Sequence, residues 1–267
     1  MNYHLSDKAV ACYEDDGYLS PVDVLSPAEA AEARSRLERF EQAAGDAAGG
    51  MRTDLHLLER WAWDLVHHPR IVEPVVSLLG DDVLLWSMNW FIKEPGDAKF
   101  VSLHQDASYW GLEPHDVLTV WLALSDAAAA TGPMHFLPGS HRGALYEHED
   151  TYDAGNLLTR GQTISAVDEQ ACRLAPLTAG QMSLHHVRIV HGSGPNATDD
   201  RRIGMVLRYC ATHVRQVKGD DTAVLVTGQD RYGHFELLSG PAQDNGPAER
   251  ARHQAAVQKL TRIVMMD

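Results

Sequence analysis

Fifteen histidines in a chain of 267 residues point first to metal ligation and to acid–base chemistry, the two uses of imidazole near neutral pH. Two of them open a His-x-Asp triplet: His104-Gln105-Asp106 and His148-Glu149-Asp150. In an extended segment residues i and i+2 project from one face, so a triplet on a strand aims an imidazole and a carboxylate at one point. A third ligand from a distant strand would give two histidines and one carboxylate on one face of an octahedron. That is the arrangement of non-haem Fe(II) oxygenases, whose open positions take a co-substrate and O2. His104 is the better placed, because strand-like residues 93–103 precede it and the apolar run 117–124 follows. His148 stands in a polar, loop-like stretch. The third ligand could be His185, His186, His191, His213 or His234. His191 ends the run 187–190, apolar except for Arg188, and meets the turn Gly192-Ser193-Gly194-Pro195-Asn196. A hairpin beyond that turn would bring Arg201 or Arg202 back beside His191, and an arginine fork suits a dicarboxylate. The alternative is a charged turn neutralised by Asp199 and Asp200.

The elements that must position these residues fall into three parts. A helical N-terminal part, about 26–80, begins with the first organised element: Ser26-Pro27-Ala28-Glu29 reads as a capping box, followed by an apolar stripe at Ala30, Ala33, Leu37, Phe40 and Ala44. Further helices are expected near 54–67 and 71–79. From 83 to about 228 the pattern changes to strands: 83–93, 117–124, 134–137, 182–191, 203–211 and 222–227, separated by Gly/Pro turns. Residues 142–180 read as a long excursion of the kind that often covers a site. A polar stretch leads to a last helix near 248–263. Short strands with little helix between them predict a mainly β fold with flanking α-helices, a sandwich or jelly roll, in one domain.

Composition excludes more than it assigns. Lys plus Arg is 23 against 37 for Asp plus Glu, a net charge of −14, and no basic run offsets it, so a nucleic-acid partner is not expected. Cys12, Cys172 and Cys210 form no framework, which fits a reducing cytoplasm. No run is apolar and long enough to span a membrane, and no secretion signal is seen.

The order of features resembles the phytanoyl-CoA dioxygenase family of Fe(II)- and 2-oxoglutarate-dependent oxygenases. Asp15-Asp16-Gly17-Tyr18-Leu19 with the capped helix resembles its opening, and His104-Gln105-Asp106 its first metal motif. Gly132-Pro133-Met134 through Pro138-Gly139-Ser140-His141 resembles its Gly…PGSH segment. His191-Gly192-Ser193, with Arg202 eleven residues after the histidine, resembles its second motif. The resemblance covers about residues 13–211. It implies a double-stranded β-helix, a cupin-like jelly-roll barrel, with Fe(II) on His104, Asp106 and His191. It implies that Arg202 and Ser193 hold the distal carboxylate of 2-oxoglutarate, that Trp121 lies beside this co-substrate, and that O2 is the second co-substrate. The implied reaction hydroxylates an unactivated C–H of a small metabolite while 2-oxoglutarate becomes succinate and CO2. Related halogenases replace the metal-binding carboxylate with a small residue, so Asp106 favours hydroxylation.

Coenzyme A is a poor fit to a chain this acidic. Trp90, Tyr109, Trp110 and the 142–180 excursion are candidates to line a pocket for a small, partly apolar molecule. Two other readings stay open: a cupin-like metalloenzyme that does not use 2-oxoglutarate and so has no need of Arg202, and a non-catalytic binding barrel. Oligomeric state is not legible.

Overall fold

The computed structural model describes residues 2–266. Besides a single turn at Ala48–Met51, its α-helices are α1 (Asp7–Asp16), α2 (Pro27–Ala44), α3 (Arg60–Val66), α4 (Pro69–Leu79), the single turn α5 (Ala107–Trp110) and α6 (Pro247–Val264). The strands that build the barrel are β1 (Tyr18–Asp23), β2 (Val83–Lys93), β3 (Val101–His104), β4 (Val117–Ala123), β5 (Met134–Phe136), β6 (Arg173–Ala175), β7 (Gln181–His186), β8 (His191–Ser193), β9 (Arg202–Ala211), β10 (Thr222–Thr227) and β11 (Glu236–Leu237). They form a large sheet in the order β1-β7-β4-β9-β2-β10-β11 and a smaller one in the order β3-β8-β5-β6. All pairings are antiparallel except β10 with β11. Two such sheets wrapped face to face are the double-stranded β-helix.

The large sheet is buried on both faces, which is why its strands read as nearly continuous apolar runs. Its outer face carries Leu118, Val120 and Leu122 of β4 with Ile203, Met205 and Leu207 of β9. They pack on Leu37 and Phe40 of α2, Val66 of α3, and Ile71 and Val75 of α4. Alternation then turns Thr119 and Trp121, Arg202 and Val206, and Phe91 toward the barrel interior. Helix α2 starts where its capping box stands: Ser26 Oγ accepts from Glu29 N at 3.3 Å and Glu29 Oε2 accepts from Ser26 N at 2.7 Å.

Several expectations change. The first organised element is α1, capped by Ser6, and not the helix after Ser26. Residues 54–67 are a 3-10 turn (Leu55–Leu57) followed by α3. The stretch 182–191 is not one strand. It breaks after His186, and His191 begins β8 in the other sheet. The hairpin from His191 to the arginines does not form either, because β8 pairs with β3 and β5 while β9 pairs with β2 and β4.

Two of the motifs that share no strand meet at the barrel's edge. Gly17 sits at φ +81, and a Cβ there would lie 2.4 Å from Nδ1 of His141, so only glycine admits the ring. His141 Nε2 donates to Glu14 O at 3.1 Å, and Gly139 N donates to Asp16 O at 2.8 Å. The Pro-Gly-Ser-His turn is thus a clasp for the end of α1.

Candidate metal and co-substrate site

His104 closes β3 and His191 opens β8, and the two are direct cross-strand partners. Their ring centroids lie 4.1 Å apart. Asp106 is not on the strand: it has helical dihedrals and caps α5. The triplet therefore converges through a strand-to-helix turn rather than through strand alternation. His104 Nε2 lies 3.4 Å from Asp106 Oδ1, and His191 Nε2 lies 3.8 Å from Asp106 Oδ2. One donor atom from each of the three residues falls within 4.8 Å of the others, and all three side chains are buried.

The tautomers follow from the backbone. Nδ1 of His104 contacts Ser102 O at 2.9 Å, and Nδ1 of His191 contacts Ile189 O at 3.0 Å. A carbonyl only accepts, so each Nδ1 carries the hydrogen and each Nε2 turns a lone pair toward Asp106. Burial, then the neighbouring His104, holds His191 well below the ordinary histidine range, so it is neutral and ready to ligate. Burial alone would raise Asp106; positive charge on His191 or His104, when either ring is protonated, outweighs it and holds the carboxyl below its ordinary range. Tyr109 OH donates to Asp106 Oδ1 at 2.9 Å. Burial, then the Asp106 charge, keeps that phenol protonated.

Across the interior lies Arg202, fully buried. Its Nη1 donates to Gly132 O at 2.6 Å, while Nε and Nη2 have no partner. Its guanidinium carbon sits 5.1 Å from the Trp121 ring centroid. The indole reaches this place because residue 204 is glycine: a Cβ there would lie 2.1 Å from Trp121 Cζ2. Arg201 is the arginine that makes surface ion pairs, with Glu94 at 3.0 Å and Glu41 at 2.9 Å.

Sequence reasoning missed Lys93. It is the β-sheet partner of Arg202, is fully buried, and donates to Ser193 Oγ at 2.7 Å and to the Gly194 carbonyl. Burial, then the Arg202 charge, pushes its ammonium down to about 6. The signal was available: Lys93 ends an apolar strand two residues after Phe91, on the inward face. His185 also lines the cavity, with its ring 4.8 Å from that of His191 and its pKa pushed down to about 4 by burial.

The other candidates have local roles. His148 Nε2 accepts from Gln105 N at 2.9 Å, so the second His-x-Asp buttresses the first. His186 Nδ1 accepts from Arg188 N, His213 pairs with Asp116 at the surface, and His234 stacks on Tyr232. Tyr109 and Leu158, the latter from the 142–180 excursion, line the cavity. Trp90 does not: it faces the helices, with its ring 6.2 Å from that of Trp61. Among the described residues no helix is long and apolar enough to cross a membrane.

A jelly-roll barrel with this buried cluster defines a class of metal-dependent oxygenases, and comparison with known proteins narrows it. Residues 13–204 match the phytanoyl-CoA dioxygenase (PhyH) family model. The chain belongs to the phytanoyl-CoA dioxygenase family. It is 32% identical over 179 residues, 65% of this chain and 58% of the relative, to a probable alpha-ketoglutarate-dependent hypophosphite dioxygenase of Stutzerimonas stutzeri. It is 25% identical to the L-proline trans-4-hydroxylase of Streptomyces griseoviridis, over 74% of this chain and 83% of that one. The apo structure of the non-heme monooxygenase ThoJ superposes with a TM-score of 0.86 at 33% identity, covering 96% of this chain and 97% of that chain. The chain spans about half the length of several curated relatives it matches, 58%, 52% and 48% for three of them.

Proposed function

We propose that this chain, as one catalytic domain, is an Fe(II)- and 2-oxoglutarate-dependent oxygenase that hydroxylates a small molecule. The observation that carries the reading is the pairing of two features in one interior. Three buried donor atoms face one another with both imidazole Nδ1 atoms tied to carbonyls, and a buried guanidinium opposite them has two nitrogens without partners. The donor set of two nitrogens and one carboxylate oxygen fits Fe(II). The orphaned nitrogens of Arg202 fit a carboxylate.

In this reading His104, Asp106 and His191 hold the metal. Arg202 takes the distal carboxylate of 2-oxoglutarate. The Ser193 hydroxyl accepts from Lys93, which leaves its own hydrogen free for the same carboxylate. Trp121 backs the guanidinium and fixes its plane. Bound together, Fe(II) and 2-oxoglutarate supply O2-dependent oxidation, with succinate and CO2 as by-products. Tyr109 keeps its proton and holds Asp106 Oδ1, which fixes the orientation of the carboxylate. Phe91, Val101, Met134 and Val206 exclude water from the interior. With Asp106 as a ligand, no metal position would be left for a halide in its place, which supports hydroxylation over halogenation, as does the relative named for proline hydroxylation.

The test is succinate formation from 2-oxoglutarate by Fe(II)-reconstituted protein in air. Slow, O2-dependent succinate release that stops in Asp106→Ala is expected. Iron binding without any such release would favour a metalloenzyme of the same fold that does not use 2-oxoglutarate.

A further inference from the structure

Arg208 is the charged interior side chain left without a role. It lies six residues after Arg202 on β9 and, like it, lines the barrel cavity. Its Nη1 donates to Ser87 Oγ at 3.1 Å, its guanidinium carbon sits 4.8 Å from the Trp110 ring centroid, and its Nε is buried without a partner. None of these contacts is a carboxylate. Two acids lie near enough to feel its charge, and both are engaged elsewhere. Asp106 faces the two histidines. Asp54 accepts from Met88 N at 2.8 Å, and burial pushes its carboxyl up to about 7. A guanidinium stays charged at any working pH. Holding it largely out of water costs free energy unless an opposite charge meets it.

Its place is equally specific. Arg208 lines the barrel cavity and also a second cleft of about 200 Å³, walled by Trp86, Trp110 and Leu260. Phe91, Tyr109 and Leu158 are likewise common to both spaces. The two spaces therefore adjoin beside Tyr109, whose hydroxyl holds Asp106.

We propose that Arg208 anchors the primary substrate, and that this substrate is a small amphiphilic acid. Its carboxylate, or an oxyanion of similar size, meets the guanidinium. Its apolar part lies along Trp86, Trp110 and Leu260, within reach of the metal. The inference rests on the functional reading above and names the substrate class for it. The competing source of an oxyanion is the near carboxylate of 2-oxoglutarate itself.

The experiment uses the 267-residue chain loaded with Ni(II), which binds without turning over, and saturated with 2-oxoglutarate. Phenylacetate and phenylacetamide, alike in shape but not in charge, are the probes, with dissociation constants from ligand-observed NMR. Phenylacetate is expected to bind wild type at least ten-fold more tightly than the amide. Arg208→Gln removes that preference and Arg208→Lys restores part of it, while 2-oxoglutarate affinity changes less than three-fold in both. Equal binding of the two probes to wild type, or a preference that survives Arg208→Gln, overturns the proposal. So does a ten-fold or greater loss of 2-oxoglutarate affinity in Arg208→Gln, which would assign the guanidinium to the co-substrate. If 2-oxoglutarate fails to bind Ni(II)-loaded wild type at all, the functional reading itself has failed. If it binds and the probes do not discriminate, only this inference has.

Discussion

Replacing Arg202 by methionine should weaken 2-oxoglutarate binding strongly without unfolding the protein. The side chain is fully buried, and only Nη1 is hydrogen-bonded, to Gly132 O. Nε and Nη2 await an acceptor. Burial lowers its pKa only to about 10, so it remains charged at neutral pH. A dicarboxylate docked there forms a buried, charge-assisted pair. Removing one member of such a pair costs about 3–5 kcal/mol, which is about 150- to 5,000-fold in dissociation constant. The co-substrate-free protein responds in the opposite sense. Losing an uncompensated buried cation relieves a desolvation penalty, against about 1 kcal/mol for the carbonyl of Gly132 left unpaired. Stability of Arg202→Met without 2-oxoglutarate is therefore expected to equal or exceed that of wild type. Calorimetric titration of 2-oxoglutarate into Ni(II)-loaded protein measures the first effect, and thermal unfolding of the apo protein the second. Metal affinity should stay within about three-fold, because no ligand is touched. A 2-oxoglutarate dissociation constant within three-fold of wild type would refute the role given to Arg202.

Other consequences follow from neighbouring side chains. Lys93 is held at about 6 by burial and by Arg202, so it is largely neutral at pH 7.5. Arrival of a carboxylate raises its pKa, so 2-oxoglutarate binding should take up protons above about pH 6 and tighten as pH falls toward that value. Calorimetry in buffers of different ionisation enthalpy reads the uptake, which should vanish in Lys93→Met. Tyr109→Phe removes the hydrogen bond to Asp106 Oδ1; a metal affinity about 10- to 100-fold weaker is expected, and unchanged affinity would make the contact incidental. Gly204→Ala drives a methyl into Trp121. It should cost about 1–3 kcal/mol in stability and weaken 2-oxoglutarate binding as the indole leaves Arg202, which thermal unfolding and the same titration would detect.

Much of this was legible in sequence because local rules were strong. The Ser26 capping box, the apolar strand 83–93 and the final helix near 248–263 each stand close to where residue types put them. The pairing of His104 with His191 was not deducible from spacing, since it depends on which sheet each joins. The break after His186 hid behind a run apolar but for Arg188: Val187, Ile189 and Val190 are buried without being strand. Trp90 and Trp121 could not be assigned to opposite faces until their strands were seen in a sheet covered on both sides. Lys93 was overlooked because a lysine at a strand end is ordinarily a solvated one. Its register opposite Arg202 and its bond to Ser193 show the amine turned inward beside the guanidinium.

The most direct test is an anaerobic optical titration of 2-oxoglutarate into Fe(II)-reconstituted protein, wild type beside His191→Ala. Wild type is expected to develop the broad visible band of an iron-chelated 2-oxoacid, saturating near one equivalent, and His191→Ala to develop none. Wild-type protein that holds stoichiometric Fe(II) yet gives no band, or a variant whose band matches wild type, would contradict an iron and 2-oxoglutarate site built on His104, Asp106 and His191.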